Sequence, residues 1–114
     1  MKRLALAATA AASILSAHSA PALANEVLNA SQIKKFVPGR AKANISGSTV
    51  VIRASTSGKL SGTWGGENDT GQWDVSGDQL CIRFNSWLRG GTHCSKVARS
   101  GNSFRVVGVT FDKY

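Results

Sequence analysis

Apolar and small residues alternate with polar ones through most of the chain after residue 38, and glycine-containing pairs interrupt the alternation at short intervals. A period of two residues is typical of β-strands that bury one face. Short strands separated by glycine turns favour consecutive antiparallel hairpins. The pattern therefore predicts a mainly β domain, an up-and-down antiparallel meander of about six strands that curls into a small barrel or half-barrel.

One segment departs from this period. Leu28, Ile33 and Phe36 fall roughly on one face of a short helix, and Asn29 or Ser31 can cap its start. A Pro-Gly pair follows and ends the helix. The sequence therefore predicts one N-terminal helix of about two turns ahead of the strands.

The turns test the strand registers, because residues that face each other must lie on the same side of the sheet. In the predicted registers the apolar residues of neighbouring strands agree on one face. The predicted turns and representative pairs are Gly47-Ser48 with Ala43 opposite Ile52, Thr56-Ser57-Gly58 with Ala54 opposite Leu60, Gly77-Asp78 with Trp73 opposite Ile82 and Gly71 opposite Phe84, and Gly101-Asn102 with Arg99 opposite Phe104.

The two cysteines fix one further hairpin. Cys81 opposite Cys94 requires an even-length loop centred on Trp87-Leu88, and directly opposed strand residues have the Cα separation that a disulfide needs. In this register both cysteines fall on the face opposite Leu80 and Ile82. We expect the disulfide on the outer surface, unless a bulge beside it changes the face.

Residues 1–24 have the pattern of a cleavable signal peptide. Met1-Lys2-Arg3 is basic, an apolar run follows from Leu4 to Leu15, and Ala22-Leu23-Ala24 gives the small-x-small cleavage pattern. The apolar run is shorter than the roughly 20 residues that a membrane span needs. We expect residues 25–114 to form a single disulfide-linked domain, periplasmic or secreted, without a transmembrane segment.

Several motifs follow one another in an order that suggests a family. They are the helix Leu28-Asn29-Ala30-Ser31-Gln32-Ile33, then Gly58-Lys59-Leu60-Ser61-Gly62, Gly71-Gln72-Trp73-Asp74-Val75, Leu80-Cys81-Ile82 and Cys94. The order resembles small exported alphaproteobacterial proteins that form a domain of unknown function. The chain departs from that pattern at Phe84, where Trp is usual, and at Ser95, where an aromatic residue often follows the second cysteine. The resemblance implies an exported domain with a disulfide and assigns no catalytic residue.

Three groups of residues are candidates for chemistry. His93 and the two cysteines are too few ligands for a closed zinc site. His93 is also the only imidazole after residue 24, so it is the only histidine there that could serve as the base for a serine or cysteine nucleophile. Glu67 and Asp69 share the loop of residues 65–70, which could serve a calcium site or glycosidase-like chemistry. We expect a solvated hairpin turn instead, because that is the commoner role of such a sequence. The sequence therefore predicts no enzyme, no catalytic residue, no metal site and no cofactor.

Charge gives the leading functional hypothesis. Twelve of the fourteen basic residues and all six acidic residues follow Ala24, so residues 25–114 carry a formal net charge of +6. Basic side chains gather on the outward face, where the predicted register sets Lys42 opposite Arg53 at a cost in stability. We expect the partner to be an anionic envelope component or a protein. The alternative is that the positive charge only keeps the domain in solution. Nucleic acid is not expected as a partner outside the cytoplasm. The predicted partner-binding residues are Lys42, Arg53, Arg83, Lys96 and Arg105 on the sheet, with Trp87 and Arg89 at a hairpin tip.

Two alternatives stay open at this stage. Trp87 either presents its ring to a partner or folds back over the barrel mouth. Small residues on the inner face leave room either for the helix or for a small apolar ligand, in a pocket formed by His93, Trp64, Trp73 and Ser95. The second hypothesis for function is accordingly a lipocalin-like carrier, and the oligomeric state is left open.

Overall fold

The computed structural model describes residues 25–114, so the predicted signal peptide at residues 1–24 lies outside the described residues. One α-helix, ten strands and a short 3-10 turn make up this part of the chain. The helix is α1 (Ala30–Phe36), and the 3-10 turn spans Trp87–Gly90. The strands are β1 (Glu26–Val27), β2 (Gly39–Ile45), β3 (Ser48–Ala54), β4 (Lys59–Trp64), β5 (Glu67–Ser76), β6 (Gln79–Phe84), β7 (Thr92–Ser95), β8 (Ala98–Ser100), β9 (Ser103–Val106) and β10 (Val109–Lys113).

All ten strands belong to one antiparallel sheet in the order β1-β8-β9-β10-β2-β3-β4-β5-β6-β7. Strands β2 to β7 pair in sequence, and then Lys96-Val97 leads to the far edge, where β8, β9 and β10 return to pair with β2. A two-residue link between strands near opposite edges requires a strongly curled sheet. The predicted mainly β half-barrel with one helix is confirmed, although the strands outnumber the six that were expected.

Most of the predicted registers are confirmed. The structure pairs Ala54 with Leu60, Trp73 with Ile82, Gly71 with Phe84, Cys81 with Cys94, and Arg99 with Phe104. In the β3–β4 and β5–β6 hairpins the pairing that places apolar residues on a single face is the one adopted. Burial of one face is therefore what selects the register in these two hairpins.

The predicted register of the β2–β3 hairpin is wrong by two residues. The turn is Ser46-Gly47, both with positive φ (52° and 84°), and Ala43 faces Val50. Because side chains alternate with a period of two, this shift keeps every residue on its predicted face. It does change the cross-strand partners: Arg53 faces Arg40, not Lys42.

The hairpin turn predicted within residues 65–70 is present but shorter than expected. Gly65 and Gly66, with φ of 58° and 87°, form a two-residue turn, and strand β5 begins directly after them at Glu67. Successive positive φ values suit the type of turn that matches the twist of a hairpin, and glycine adopts them readily. Glu67 and Asp69 consequently stand on a strand and not in a loop.

Helix α1 is fastened at its start and buried along one side. Asn29 and Gln32 form a reciprocal capping box, so of the two predicted caps Asn29 is the one used. Asp78, in the β5–β6 turn, accepts a hydrogen bond of 2.9 Å from the Ala30 amide and ties the helix to the sheet. Ile33 is fully buried within the core, together with Leu28. The helix thus covers the concave face of the half-barrel, which is one of the two alternatives that the sequence left open.

The disulfide joins β6 to β7 on the outward face. Cys94 is exposed and Cys81 is half-buried, whereas Leu80 on the other face is buried. The preferred interpretation of the sequence, an outer-surface disulfide, agrees with this arrangement. The bond attaches the short edge strand β7 to the rest of the sheet.

Replacing both Cys81 and Cys94 with Ala should lower the free energy of unfolding by about 2–4 kcal/mol, because the cross-link restricts the unfolded chain. Chemical denaturation of the oxidised protein and of the double variant measures the difference. Reduction of the wild-type protein should reproduce the loss. An unchanged denaturation midpoint in both cases would contradict the stabilising role.

Gly71→Ala should destabilise the fold by about 1–3 kcal/mol, because a Cβ at this position would run into the backbone of Arg83 and Phe84. Gly91→Ala is the matched control, since its Cβ would meet its nearest atoms at 3.6 Å, an ordinary contact. Thermal unfolding of the two variants side by side tests the prediction. Equal losses would show that loss of glycine, and not the close approach of β5 to β6, is responsible.

Candidate anion-binding groove

A row of polar side chains crosses the outward face of the sheet from β2 to β5. Arg40 on β2 faces Arg53 on β3, which faces Ser61 on β4, which in turn faces Thr70 on β5. Asn85 extends the row beyond the end of β6, because its amide donates to the Thr70 hydroxyl at 3.0 Å. The strand registers bring two guanidinium groups and two hydroxyl groups into one line, and the Asn85 hydrogen bond adds a third neutral group.

A second row lies beside the first. Lys59 on β4 faces Gln72 on β5, and Gln72 faces Arg83 on β6. Gln72 is therefore flanked by two cations. Like charges on neighbouring positions of a sheet destabilise it, so the two rows together are an electrostatically unfavourable arrangement in the absence of an anion.

The two rows line a groove of about 810 Å³. Four cationic side chains take part in its lining, and none of the lining residues is acidic. Such a one-sign surface concentrates anions through its field, and guanidinium groups add directional hydrogen bonds to carboxylates and phosphates. The cations are Arg40, Arg53, Lys59 and Arg83, and the neutral polar side chains are Ser55, Ser61, Thr70, Gln72 and Asn85.

The groove contains two of the five sheet cations predicted from the sequence, Arg53 and Arg83. Lys42 stands outside the lining, opposite Asp112 of β10, and its ammonium lies 5.2 Å from the centre of the Tyr114 ring. Lys96 lies in the link between β7 and β8, and Arg105 on β9 donates to Thr110 at 3.2 Å. The structure therefore does not bring the predicted set together.

Sequence reasoning missed Arg40 and Lys59. The shifted β2–β3 register is what places Arg40 next to Arg53, and the confirmed β4–β5 pairing places Lys59 next to Gln72. The Arg40 guanidinium also lies 4.6 Å from the centre of the Tyr114 ring, a cation–π contact at the end of the groove. Correct registers for the β2–β3 and β4–β5 pairs together would have identified these two residues from the sequence.

Of the two alternatives for Trp87, the structure adopts the one in which the ring folds back. The ring contacts Phe84 and Trp64, with centroid distances of 5.0 and 6.0 Å, and it covers Gly62 so closely that a Cβ there would come within 2.6 Å. Trp87 is thus half-buried at the mouth of the half-barrel. Leu88 and Arg89, the exposed residues of the tip, adopt positive φ values of 56° and 60°.

Asp69 holds the chain that carries Trp87. One carboxylate oxygen accepts hydrogen bonds of 2.9 Å from the amides of Ser86 and Trp87, and the other accepts from the Thr70 amide at 2.9 Å. The Trp87 amide is the largest cause of a lowered pKa at this carboxyl, because hydrogen bonds from amides favour the charged form. Asp69 therefore has a structural role in positioning the hairpin tip.

The residues of the predicted ligand pocket do not surround a common space. Trp73 is buried and donates to the Ser55 carbonyl at 2.8 Å, whereas the Ser95 hydroxyl accepts from the Val107 amide and donates to the Lys96 carbonyl. His93 and Trp64 are half-buried. The cavity that lies beneath the sheet measures about 60 Å³ and has Trp73, but none of the other three residues, in its lining.

Comparison of the chain with family models, with curated proteins and with solved structures finds no match in any of the three. The resemblance to small exported proteins of unknown function therefore stays a prediction. Within residues 25–114, no helix is long and apolar enough to cross a membrane. The same part of the chain has no group of three or more His, Cys, Asp or Glu side chains placed to hold a metal ion.

Acid should release the hairpin tip. The pKa of Asp69 is lower in the folded protein than its ordinary value, so its hydrogen bonds stabilise the tip fully above that ordinary value and are lost as the pH falls through the lowered pKa. We expect a change in tryptophan fluorescence at this low pH, which Asp69→Asn should abolish. Trp87→Phe identifies the emitting ring, because it should remove the same transition. A transition that persists in both variants would contradict this assignment.

Proposed function

We propose that this domain is an exported binding module for an anionic component of the cell envelope. The observation that supports the proposal is the groove, in which four cationic side chains meet without any acidic lining residue. Arg40 and Arg53 face each other directly, and their like charges repel each other when no anion is bound. An anion between them would remove this repulsion and accept hydrogen bonds from both guanidinium groups.

The groove lies on strands that hold it in place. Its cations stand on β2, β3, β4 and β6, all of which have hydrogen-bonded neighbours on both sides. A binding group on a paired central strand loses little backbone freedom when a ligand arrives, so less of the binding free energy is spent on ordering. This favours a role in recognition over a role as general solubilising charge, which needs no shared groove.

The disulfide and the predicted signal peptide both support an exported location. An intramolecular disulfide suits a periplasmic or extracellular location, because the cytoplasm keeps thiols reduced. Anionic polymers and headgroups of the envelope are then the partners within reach. An acidic protein is the competing partner, and the experiment below includes it.

The second hypothesis, a lipocalin-like carrier, has less support. Pockets for small molecules commonly enclose roughly 300–1,000 Å³, whereas the inner cavity measures about 60 Å³. Helix α1 occupies the concave face where such a ligand would bind, with Ile33 0% and Leu28 2% exposed. The outward groove is the better candidate for binding.

The double variant Arg53→Ala/Arg83→Ala should bind immobilised anionic polysaccharide and anionic vesicles at least about tenfold more weakly than the wild type, since each charge-assisted hydrogen bond contributes about 1.5–3 kcal/mol. Binding is measured at two salt concentrations, and higher salt should weaken the wild type because exposed charges are screened. Thermal unfolding establishes that the variant is folded.

The matched control is Lys96→Ala/Arg105→Ala, which removes the same charge from the outward surface but leaves the groove intact. We expect this control to retain most of the affinity. Equal losses in the two double variants would mean that net charge, and not the groove, attracts anions. Wild-type binding to an acidic protein alone, with no affinity for either envelope anion, would also overturn the proposal.

A further inference from the structure

The positive charge of the groove is spread out and not focused at a point. Arg40 on β2 and Arg83 on β6 stand four strand spacings apart, which is roughly 19 Å along the curved surface at about 4.8 Å per spacing. Arg53 and Lys59 lie between them on β3 and β4. A compact anion such as phosphate can engage the Arg40–Arg53 pair but cannot also reach Arg83. The full set of cations therefore fits an elongated ligand with several separated charges.

Neutral hydrogen-bonding groups separate the cations. Ser61 and Thr70 continue the row that begins with the arginine pair, and Gln72 stands between Lys59 and Arg83. The Thr70 hydroxyl accepts the Asn85 amide, which leaves its own O–H to donate. Within residues 25–114, no hydrogen bond joins the side chain of Ser61 or Gln72 to another residue, so both can take partners from a ligand.

We infer that the groove binds a linear acidic glycan, a chain with carboxylates along its length and hydroxyls between them; this inference rests on the proposed function. Carboxylates match the guanidinium and ammonium groups, and sugar hydroxyls both donate to and accept from Ser61, Thr70 and Gln72. The ligand lies across the strands, from the Arg40 end to the Arg83 end.

Other anions satisfy only part of this arrangement. A membrane surface presents its phosphates in a plane, and phosphate oxygens accept hydrogen bonds but donate none. Linear polyphosphate supplies separated charges but no hydroxyl groups. The accepting atoms of the neutral side chains between the cations are therefore the feature that distinguishes a glycan, since sugar hydroxyls can donate to them and phosphate oxygens cannot.

The test uses oligogalacturonates from the disaccharide to the octasaccharide, titrated into the protein by calorimetry. Affinity should rise with length and level off once the oligomer spans the groove, because each added residue reaches a further cation. The matched neutral oligosaccharide and inorganic phosphate should bind far more weakly. Equal affinity for the disaccharide and the octasaccharide would overturn an extended site.

A second variant isolates the neutral groups. Gln72→Ala should weaken octagalacturonate binding several-fold and weaken linear polyphosphate binding much less, because the amide oxygen of Gln72 can accept a hydrogen bond from a sugar hydroxyl but not from a phosphate oxygen. Equal weakening of both ligands would mean that Gln72 only supports the neighbouring cations and would count against the glycan. The variant alters an exposed side chain, and its unfolding midpoint should stay that of the wild type.

The remaining outcomes separate this inference from the function on which it rests. Binding of phosphatidylglycerol vesicles or polyphosphate without binding of any oligogalacturonate overturns the glycan and leaves an anion-binding module in place. Absence of binding to every one of these anions at low salt overturns both. Length-dependent binding of oligogalacturonate that Arg53→Ala/Arg83→Ala abolishes supports both.

Discussion

The packing of helix α1 into the concave face of the sheet is the contact on which the rest of the structure depends. The Leu28 amide donates to the Val97 carbonyl at 2.9 Å, and Val97 is fully buried together with Ile33. Val97 lies in the link that carries the chain from one edge of the sheet to the other, so one cluster both seats the helix and draws the edges together. Because the helix occupies the interior, the outward face is the part of the molecule with room for a ligand.

Much of the fold could be predicted because burial of one face restricts the registers. Trp73 opposite Ile82 and Ala54 opposite Leu60 followed from apolar pairing alone. The β2–β3 error shows the limit of that argument: a shift of two residues preserves the face, so the apolar pattern cannot distinguish Gly47-Ser48 from Ser46-Gly47 as the turn. Strand β5 was missed at its start, because Glu67-Asn68-Asp69-Thr70 contains no apolar residue that could reveal an alternation.

The candidate site was less predictable than the fold, since it depends on partners across several strands at once. Arg53 and Arg83 were expected on the outward face and lie there, but their neighbours depend on two registers for each strand. Because the predicted β2–β3 register was shifted by two residues, it placed Lys42 opposite Arg53, where the structure has Arg40. The direction of the Trp87 ring could not be derived either, because it is set by the Asp69 carboxylate and by the space over Gly62, which come together only in the folded chain.

The ends of the groove are fixed by two contacts on the same outward face. At one end the Tyr114 ring lies beneath the guanidinium of Arg40; at the other, Arg83 follows Cys81 by two residues on the strand that the disulfide joins to β7. An edge strand as short as β7 has few hydrogen bonds of its own, so the cross-link keeps β6 from becoming the edge of the sheet. An outer-surface disulfide is poorly placed to support the core. It is well placed to hold the strand that carries the most distant cation of the groove.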